Sequence, residues 1–154
     1  MPRLSCWFIK AALAHLAVGV TLGGCILIAK GFPLTFGRAW LLLPAHIQLV
    51  ASGWLIQLTF GVAYWILPRL NGAGARGRDV WAWASFWMLN ISILASTLLL
   101  LIRPFVDVTW VTVALLISAI AHVFALAAFA FHIWPRLAPL PPLQPRNQAA
   151  PARS

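Results

Sequence analysis

Four histidines have the widest chemical range of any residues in this chain, and their surroundings are unusual. His15, His46 and His122 lie within long apolar segments, and His132 lies near the end of the last one. An imidazole ring can hold a hydrogen bond, transfer a proton or bind a metal ion. Because a polar ring in apolar surroundings is costly without a partner, we expect each to hydrogen-bond a neighbouring helix or to bind a ligand.

The acidic residues limit the chemistry that these histidines can serve. Asp79 and Asp107 are the two carboxylic acids of the chain, and both fall in predicted loops. Hydrolytic metal sites and acid–base catalysis usually need a carboxylate beside the histidine, so we do not expect a hydrolase. Histidines without acids, among glycines and aromatic residues, favour haem b, because its iron binds neutral imidazole and its ring needs apolar walls. Arg38 or Arg103 would pair with the haem propionates.

The second apolar segment, "AHIQLVASGWLIQLTFGVAYWILPRL", carries the largest number of polar side chains. At about 100° per residue, one helix face carries His46, Gly53, Gln57, Gly61 and Tyr64, and nearly the opposite face carries Gln48, Ser52 and Thr59. The two glycines remove side chains beside the histidine, which leaves room for a flat cofactor or for a closely packed helix. We therefore include Gly53 and Gly61 in the predicted cofactor site.

The depth of each histidine in a membrane distinguishes the candidate ligand pairs. Counting about 1.5 Å per residue from the outer boundary at Ala39 places His46 about 10 Å deep, and His15 and His122 about 21–23 Å deep. His15 and His122 therefore match each other in depth. His46 could share one haem iron with His122 if the fourth helix is strongly tilted, or with His46 of a second copy.

Composition predicts the helices that carry these residues. The chain has 154 residues, of which 62% are hydrophobic and 8% are charged, too few charges for a soluble surface. Four apolar segments predict helices at about 8–29, 39–67, 80–102 and 106–134, each long enough to cross about 30 Å of hydrocarbon. We predict an all-α fold: one integral membrane domain, residues 1–137, built as a four-helix antiparallel bundle. A proline-rich tail, 138–154, is predicted to be disordered.

The basic residues predict the orientation of these helices. Eight lie on one side, namely Arg3, Lys10, Arg69, Arg76, Arg78, Arg136, Arg146 and Arg153, and three on the other, namely Lys30, Arg38 and Arg103. This bias predicts that both termini are cytoplasmic and that the protein contacts membrane lipid. Since no face concentrates the net charge of +9, nucleic-acid binding is not expected. His132 is interpreted as an interfacial anchor, with Trp134 and Arg136.

The first helix combines a stripe of small residues with one histidine. Gly19 and Gly23 follow His15 at intervals of four, a spacing that allows two helices to pack closely. "LGGC", ending at Cys25, is similar to a bacterial lipoprotein cleavage site. The apolar run continues past this cysteine, however, which favours an intact helix over lipidation.

The second and third helices resemble a known family. "HIQLVASGWLIQLTFGVAYWILPRLNG", followed by "WAWASFWMLN", resembles the second and third helices of subunit I of the haem–copper oxidases, nearest to the nitric oxide reductase and C-type oxidase branch. Five residues, His46, Gly61, Tyr64, Trp65 and Pro68, reproduce the family's order of an early histidine, a glycine–aromatic segment and a proline. From about residue 5 to 137, the chain resembles short, four-helix subunit I-like membrane proteins of bacteria.

This resemblance implies a role for one histidine and a location. His46 matches the axial ligand of the low-spin haem, whereas the second ligand and the copper ligands come from helices that this chain lacks. The resemblance therefore implies haem without copper, no reduction of oxygen or nitric oxide by this chain alone, and a multi-pass protein of the bacterial cytoplasmic (inner) membrane.

Two functions from different classes follow. The first is a small membrane haem protein, a b-type cytochrome or redox accessory, which transfers electrons and works as a homodimer or within a respiratory complex. His46 would bind the iron, with His122 or a second copy completing the site, or His15 and His122 would form a separate pair. The second is a haem-free structural or assembly protein in which the polar side chains only join helices.

Overall fold

Four long helices make up most of the structure. The computed structural model describes residues 1–32, 38–67, 79–106 and 108–137. The helices are α1 (Arg3–Gly31), α2 (Ala39–Ile66), α3 (Asp79–Ile102) and α4 (Val108–Ile133), and short 3₁₀ turns follow α3 (Arg103–Phe105) and α4 (Trp134–Leu137). No β-strand occurs within these ranges, and the predicted all-helical class is confirmed. The predicted disordered tail, 138–154, and Asp107 lie outside the described residues.

All four helices are long and apolar enough to cross a membrane, which indicates a multi-pass membrane protein. The most apolar stretch of α2 has a mean hydropathy of 1.5, against 2.4 for α4, because α2 carries two glutamines and a histidine. Large apolar side chains such as Ile91, Leu94 and Leu98 of α3 are exposed. A surface of this kind suits hydrocarbon surroundings.

The second helix is not regular, although its sequence predicted a regular helix. It begins as a 3₁₀ turn (Ala39–Leu42), continues as α-helix (Leu43–Gln48), widens into a π-helical segment (Leu49–Ile56) and returns to α-helix (Gln57–Ile66). A π-helical segment has i→i+5 hydrogen bonds and more residues per turn. The rotation about the helix axis from a residue before this segment to a residue after it therefore differs from the value that about 100° per residue would give.

Close contacts along their length hold α1 against α2. The Ser5 hydroxyl donates to the carbonyl oxygen of Gly61. A Cβ atom placed on Gly19 would lie 3.0 Å from Cγ2 of Val50, and one on Gly23 would lie 2.8 Å from Cε1 of His46. The predicted close packing at both of these glycines is confirmed. The partner positions on α2 fall from 61 to 46 as those on α1 rise from 5 to 23.

An aromatic cluster joins all four helices near the ends of α2 and α4. Phe60 of α2 stacks on Phe129 of α4 with ring centroids 3.8 Å apart. Phe8 of α1 meets the edge of Phe86 of α3 at 5.1 Å. Such ring pairs bury a large apolar area and fix the relative orientation of their helices. The cluster thereby sets the register at which the polar side chains of α1, α2 and α3 meet.

Candidate functional site

The geometry of His46 fixes which of its nitrogens is available to a ligand. Its Nδ1 atom lies 2.7 Å from the carbonyl oxygen of Gly19 on α1, and the ring is half-buried. A carbonyl oxygen can only accept, so Nδ1 carries the proton and Nε2 keeps its lone pair. Nε2 makes no hydrogen bond to any residue that the structure describes. The imidazole is thus held in the tautomer in which Nε2 can bind a metal.

Gly23 lies against the His46 ring and leaves the space that the ring occupies. A Cβ atom on this glycine would lie 2.8 Å from Cε1 and 3.1 Å from Nδ1 of the histidine. These separations are shorter than van der Waals contact, so any larger residue would displace the ring. The sequence pattern at 19 and 23 therefore serves two purposes: helix packing at Gly19, and placement of the imidazole at Gly23.

His46 is one of the residues that line a groove between α1 and α2. The groove has a volume of about 490 Å³ and is lined by Val20, Gly23, Gly24, Ile26, Leu27, Lys30, Trp40, Leu43 and His46. Small-molecule sites in proteins commonly measure about 300–1,000 Å³ and are mostly apolar with a few polar groups. A Cβ atom on Gly24 would have no other atom within 4 Å, so Gly24 faces open space.

Among the described residues that line the groove, one, Lys30, is charged. Nζ of Lys30 lies 5.4 Å from the ring centroid of Trp40, a cation–π contact. The site therefore combines apolar walls, one imidazole with a free nitrogen and one cation. The sequence pattern indicated Arg38 or Arg103 as the cation beside a haem propionate, and not Lys30. Lys30 lies at the end of α1, two turns after Gly23, and this spacing could have identified it.

His15 belongs to a different arrangement, a chain of hydrogen bonds through three helices. Its Nδ1 lies 3.2 Å from Oε1 of Gln57, and Nε2 of Gln57 donates to Oδ1 of Asn90 at 2.9 Å. Nδ2 of Asn90 then donates to the carbonyl oxygen of Phe86 at 2.8 Å. Because the last acceptor is a carbonyl, the orientation of both amides is fixed, and His15 must donate through Nδ1.

In His122, unlike in His15, both ring nitrogens have a hydrogen-bond partner among the described residues. Its Nδ1 donates to the carbonyl oxygen of Ser118 at 2.8 Å, within α4. Its Nε2, which then has no proton, accepts from Nε2 of Gln48 at 2.9 Å. His122 therefore contacts α2 through Gln48, whereas His46 points towards α1. The structure brings neither His46 nor His15 into contact with His122.

The two glycines predicted to clear space for a cofactor are both covered by α1. A Cβ atom on Gly53 would lie 2.8 Å from Cβ of His15, and one on Gly61 would lie 3.0 Å from side-chain atoms of Phe8 and Ile9. The sequence left open whether a flat cofactor or a closely packed helix lies against these glycines, and in the structure it is a helix, α1.

The end of α4 differs from its interpretation as an interfacial anchor. His132 and Arg136 are only 6% and 3% exposed, whereas Trp134 is 76% exposed. The His132 ring stacks on Tyr64 at 5.6 Å. Nη2 of Arg136 donates to the carbonyl oxygens of Tyr64 and Leu67 at 3.2 and 2.7 Å. The 3₁₀ turn folds Arg136 back onto the end of α2, where helix carbonyls lack partners of their own, and it leaves Trp134 outside.

Asp79 likewise differs from its predicted place in a loop. It is the first residue of α3, where a negative charge is favourable. Its Oδ1 accepts a hydrogen bond from the Tyr64 hydroxyl at 2.7 Å. In the described parts of the chain, no three His, Cys, Asp or Glu residues converge as ligands for a bare metal ion. Haem differs from such an ion because the porphyrin itself supplies the equatorial ligands.

No protein-family model matches the chain, and no curated protein or solved structure matches it significantly. The resemblance to subunit I of the haem–copper oxidases accordingly stays a prediction.

Proposed function

We propose that this chain is a small membrane haem-binding protein, a b-type cytochrome or redox accessory related to subunit I of the haem–copper oxidases. The observation that carries the proposal is the state of His46. A backbone carbonyl holds its Nδ1–H, and its Nε2 has no hydrogen bond among the described residues. Histidines that bind metals usually donate their other ring N–H in this way, which fixes the tautomer and the orientation of the ring.

The groove beside His46 supports haem over a bare metal ion. Val20, Leu27 and Leu43 give it apolar walls, and Gly24 leaves part of it open. Lys30 supplies a positive charge that suits a propionate group. A haem bound here would supply reversible one-electron transfer, and the protein would hold its iron through His46 and exclude water from one porphyrin face.

A second axial ligand would come from outside this groove. His15 and His122 are engaged with Gln57 and Gln48 respectively, and neither contacts His46. Of the two alternatives for the second ligand, this arrangement favours His46 of a second copy over His122 of the same chain. The proposal requires neither copper nor oxygen chemistry by this chain alone.

The proposal includes an orientation in the bacterial cytoplasmic membrane. We place the four helices as an antiparallel bundle with both termini in the cytoplasm. Two observations support this placement: partner positions along α1 and α2 run in opposite directions, and basic residues divide eight to three between the two predicted sides.

A haem-free structural or assembly protein is the second candidate, and one observation favours it. Each of His15, His46 and His122 already makes a hydrogen bond, and those of His15 and His46 join α1 to α2. Side-chain hydrogen bonds of this kind stabilise helix association in membranes. In that function the free Nε2 of His46 would have no role.

The absorption spectrum separates the two functions. Full-length protein is produced in cells supplied with a haem precursor and purified in mild detergent. The haem proposal expects a b-type spectrum with six-coordinate, low-spin character and a shift on reduction. Folded, helical protein that stays colourless, even after incubation with haemin, would overturn the proposal in favour of the structural function.

A further inference from the structure

A second cavity lies among α2, α3 and α4 and shares no residue with the His46 groove. Its volume is about 250 Å³, and it is lined by Gln48, Ser96, Leu100, Leu115, Ala119 and His122. All six side chains are uncharged, and three of them are polar. A cavity of this composition within a membrane-spanning region suits a neutral ligand that can form hydrogen bonds. It does not suit a phosphate or a carboxylate.

The hydrogen bonds around this cavity determine which polar groups remain available. His122 accepts from one N–H of Gln48, because its own proton is donated to Ser118. The carbonyl oxygen and the second N–H of Gln48 have no hydrogen bond to any described residue. The hydroxyl of Ser96 donates to the carbonyl oxygen of Ser92 at 2.7 Å, so towards the cavity its oxygen can only accept.

An amide with one free donor and one free acceptor is costly in the apolar part of a membrane, where water does not satisfy it. The same amide is a suitable partner for a ligand that presents an acceptor in one state and a donor in another. A ring carbonyl would accept from the N–H of Gln48, and the corresponding ring hydroxyl would donate to its oxygen or to Ser96. Leu100, Leu115 and Ala119 supply apolar surface for the ring.

We propose that the cavity beside Gln48 and His122 binds the ring of a lipid-soluble quinone or quinol. Gln48 is the recognition residue, and His122 is the positioning residue that turns the Gln48 amide. Leu100 also lines a neighbouring cavity of about 330 Å³ with Trp40, Leu41, Pro44, Arg103 and Pro104. Leu100 lines both cavities, and its side chain offers apolar surface to the start of the ligand's tail. This binding does not require haem in the His46 groove.

The test uses the purified full-length protein in lipid nanodiscs and decylubiquinone as the probe. Binding is measured by isothermal titration calorimetry, and its location by photolabelling with an azidoquinone that decylubiquinone displaces. Gln48→Leu removes the donor and the acceptor and should weaken binding at least about tenfold. His122→Phe, which releases the Gln48 amide, should weaken it by a smaller factor.

Thr59→Val is the matched control, since Thr59 is an exposed polar residue of α2 whose hydroxyl donates to the carbonyl oxygen of Leu55 in the same helix. It should bind decylubiquinone as the wild type does. Ala119→Leu narrows the cavity without removing a polar group and should also weaken binding, which keeps the proposal testable if Gln48→Leu fails to fold. Wild-type binding by folded Gln48→Leu and Ala119→Leu, or photolabelling only at other helices, would overturn the proposal.

Discussion

The Nδ1 atom of His46 lies 2.7 Å from the carbonyl oxygen of Gly19, and this hydrogen bond joins α2 to α1 while the ring lies against Gly23. The bond is required in both proposed functions, because it satisfies one nitrogen of a ring in apolar surroundings. The functions differ in the use of Nε2, which the same bond leaves as a free lone pair. Experiments that change the ring and experiments that change the groove therefore test different parts of the proposal.

Helix packing gives the first prediction. Gly19→Leu should destabilise the folded protein by about 1–3 kcal/mol, since overfilling a packed contact costs about that much. The added side chain would meet Val50 and Leu49. Leu16→Ala, on a half-buried position of the same helix, should cost less. Unfolding in SDS, followed by circular dichroism, measures both, and equal stability of the two variants would show that Gly19 faces lipid.

The orientation gives the second prediction. Reporter fusions placed after Arg76 and at the C-terminus should both give cytoplasmic signals, because the larger group of basic residues flanks these points. A fusion after Arg103 should give a periplasmic signal and serves as the control. A periplasmic signal from either of the first two fusions would contradict the proposed topology.

The number of the helices and their approximate positions could be predicted from sequence, because the length of an apolar stretch can be counted along the chain. The stripe of Gly19 and Gly23 could be predicted for the same reason, since its spacing is local. The start of α1 could not, since the helix begins at Arg3, five residues before the predicted start. The π-helical segment Leu49–Ile56 could not, because it depends on backbone hydrogen bonds that no residue pattern in α2 specifies.

The candidate site could be predicted only in part. His46 followed from its position in α2, and a hydrogen bond to a neighbouring helix was among its expected contacts, which the carbonyl oxygen of Gly19 provides. The partners of His15 and His122 depend on how separate helices face one another, which a helical wheel does not contain. Gln57 and Gln48 lie on different faces of α2, and each bonds a histidine of another helix, His15 and His122 respectively.

The buried chain through Gln57 gives the third prediction. Gln57→Leu leaves the donor of His15 and the acceptor of Asn90 without a partner, and each unsatisfied buried group costs about 1–3 kcal/mol. The variant should therefore lose stability or yield, while Thr59→Val, an exposed neighbour on α2, should not. The same SDS titration measures the loss. Wild-type stability of Gln57→Leu would mean that this chain does not hold α1, α2 and α3 together.

The ring of His46 gives the fourth prediction. In haem-loaded protein, His46→Ala should abolish the b-type spectrum or convert it to a high-spin form, because an axial ligand is removed. His15→Phe is the comparison, since it changes a histidine outside the groove, and its folded fraction should keep the low-spin spectrum. The reverse result, with loss in His15→Phe and retention in His46→Ala, would leave haem binding intact but show the ligand assignment to be wrong.

Gly24, which lines the groove, gives the last prediction, which separates loss of haem from loss of fold. A Cβ atom on Gly24 meets no atom within 4 Å, so a side chain here extends into the groove and does not displace the His46 ring. Replacing a helical glycine also favours the helix by up to about 1 kcal/mol. Gly24→Leu should therefore be at least as stable as the wild type and yet bind haem at least about tenfold more weakly, since apolar volume that the porphyrin needs is filled.

Gly31→Leu is the matched control, because a Cβ atom there is equally unobstructed but Gly31 does not line the groove. Haem titration followed at the Soret band, with thermal unfolding of the same samples, measures both properties. Unchanged haem affinity in stable Gly24→Leu would place the haem outside this groove.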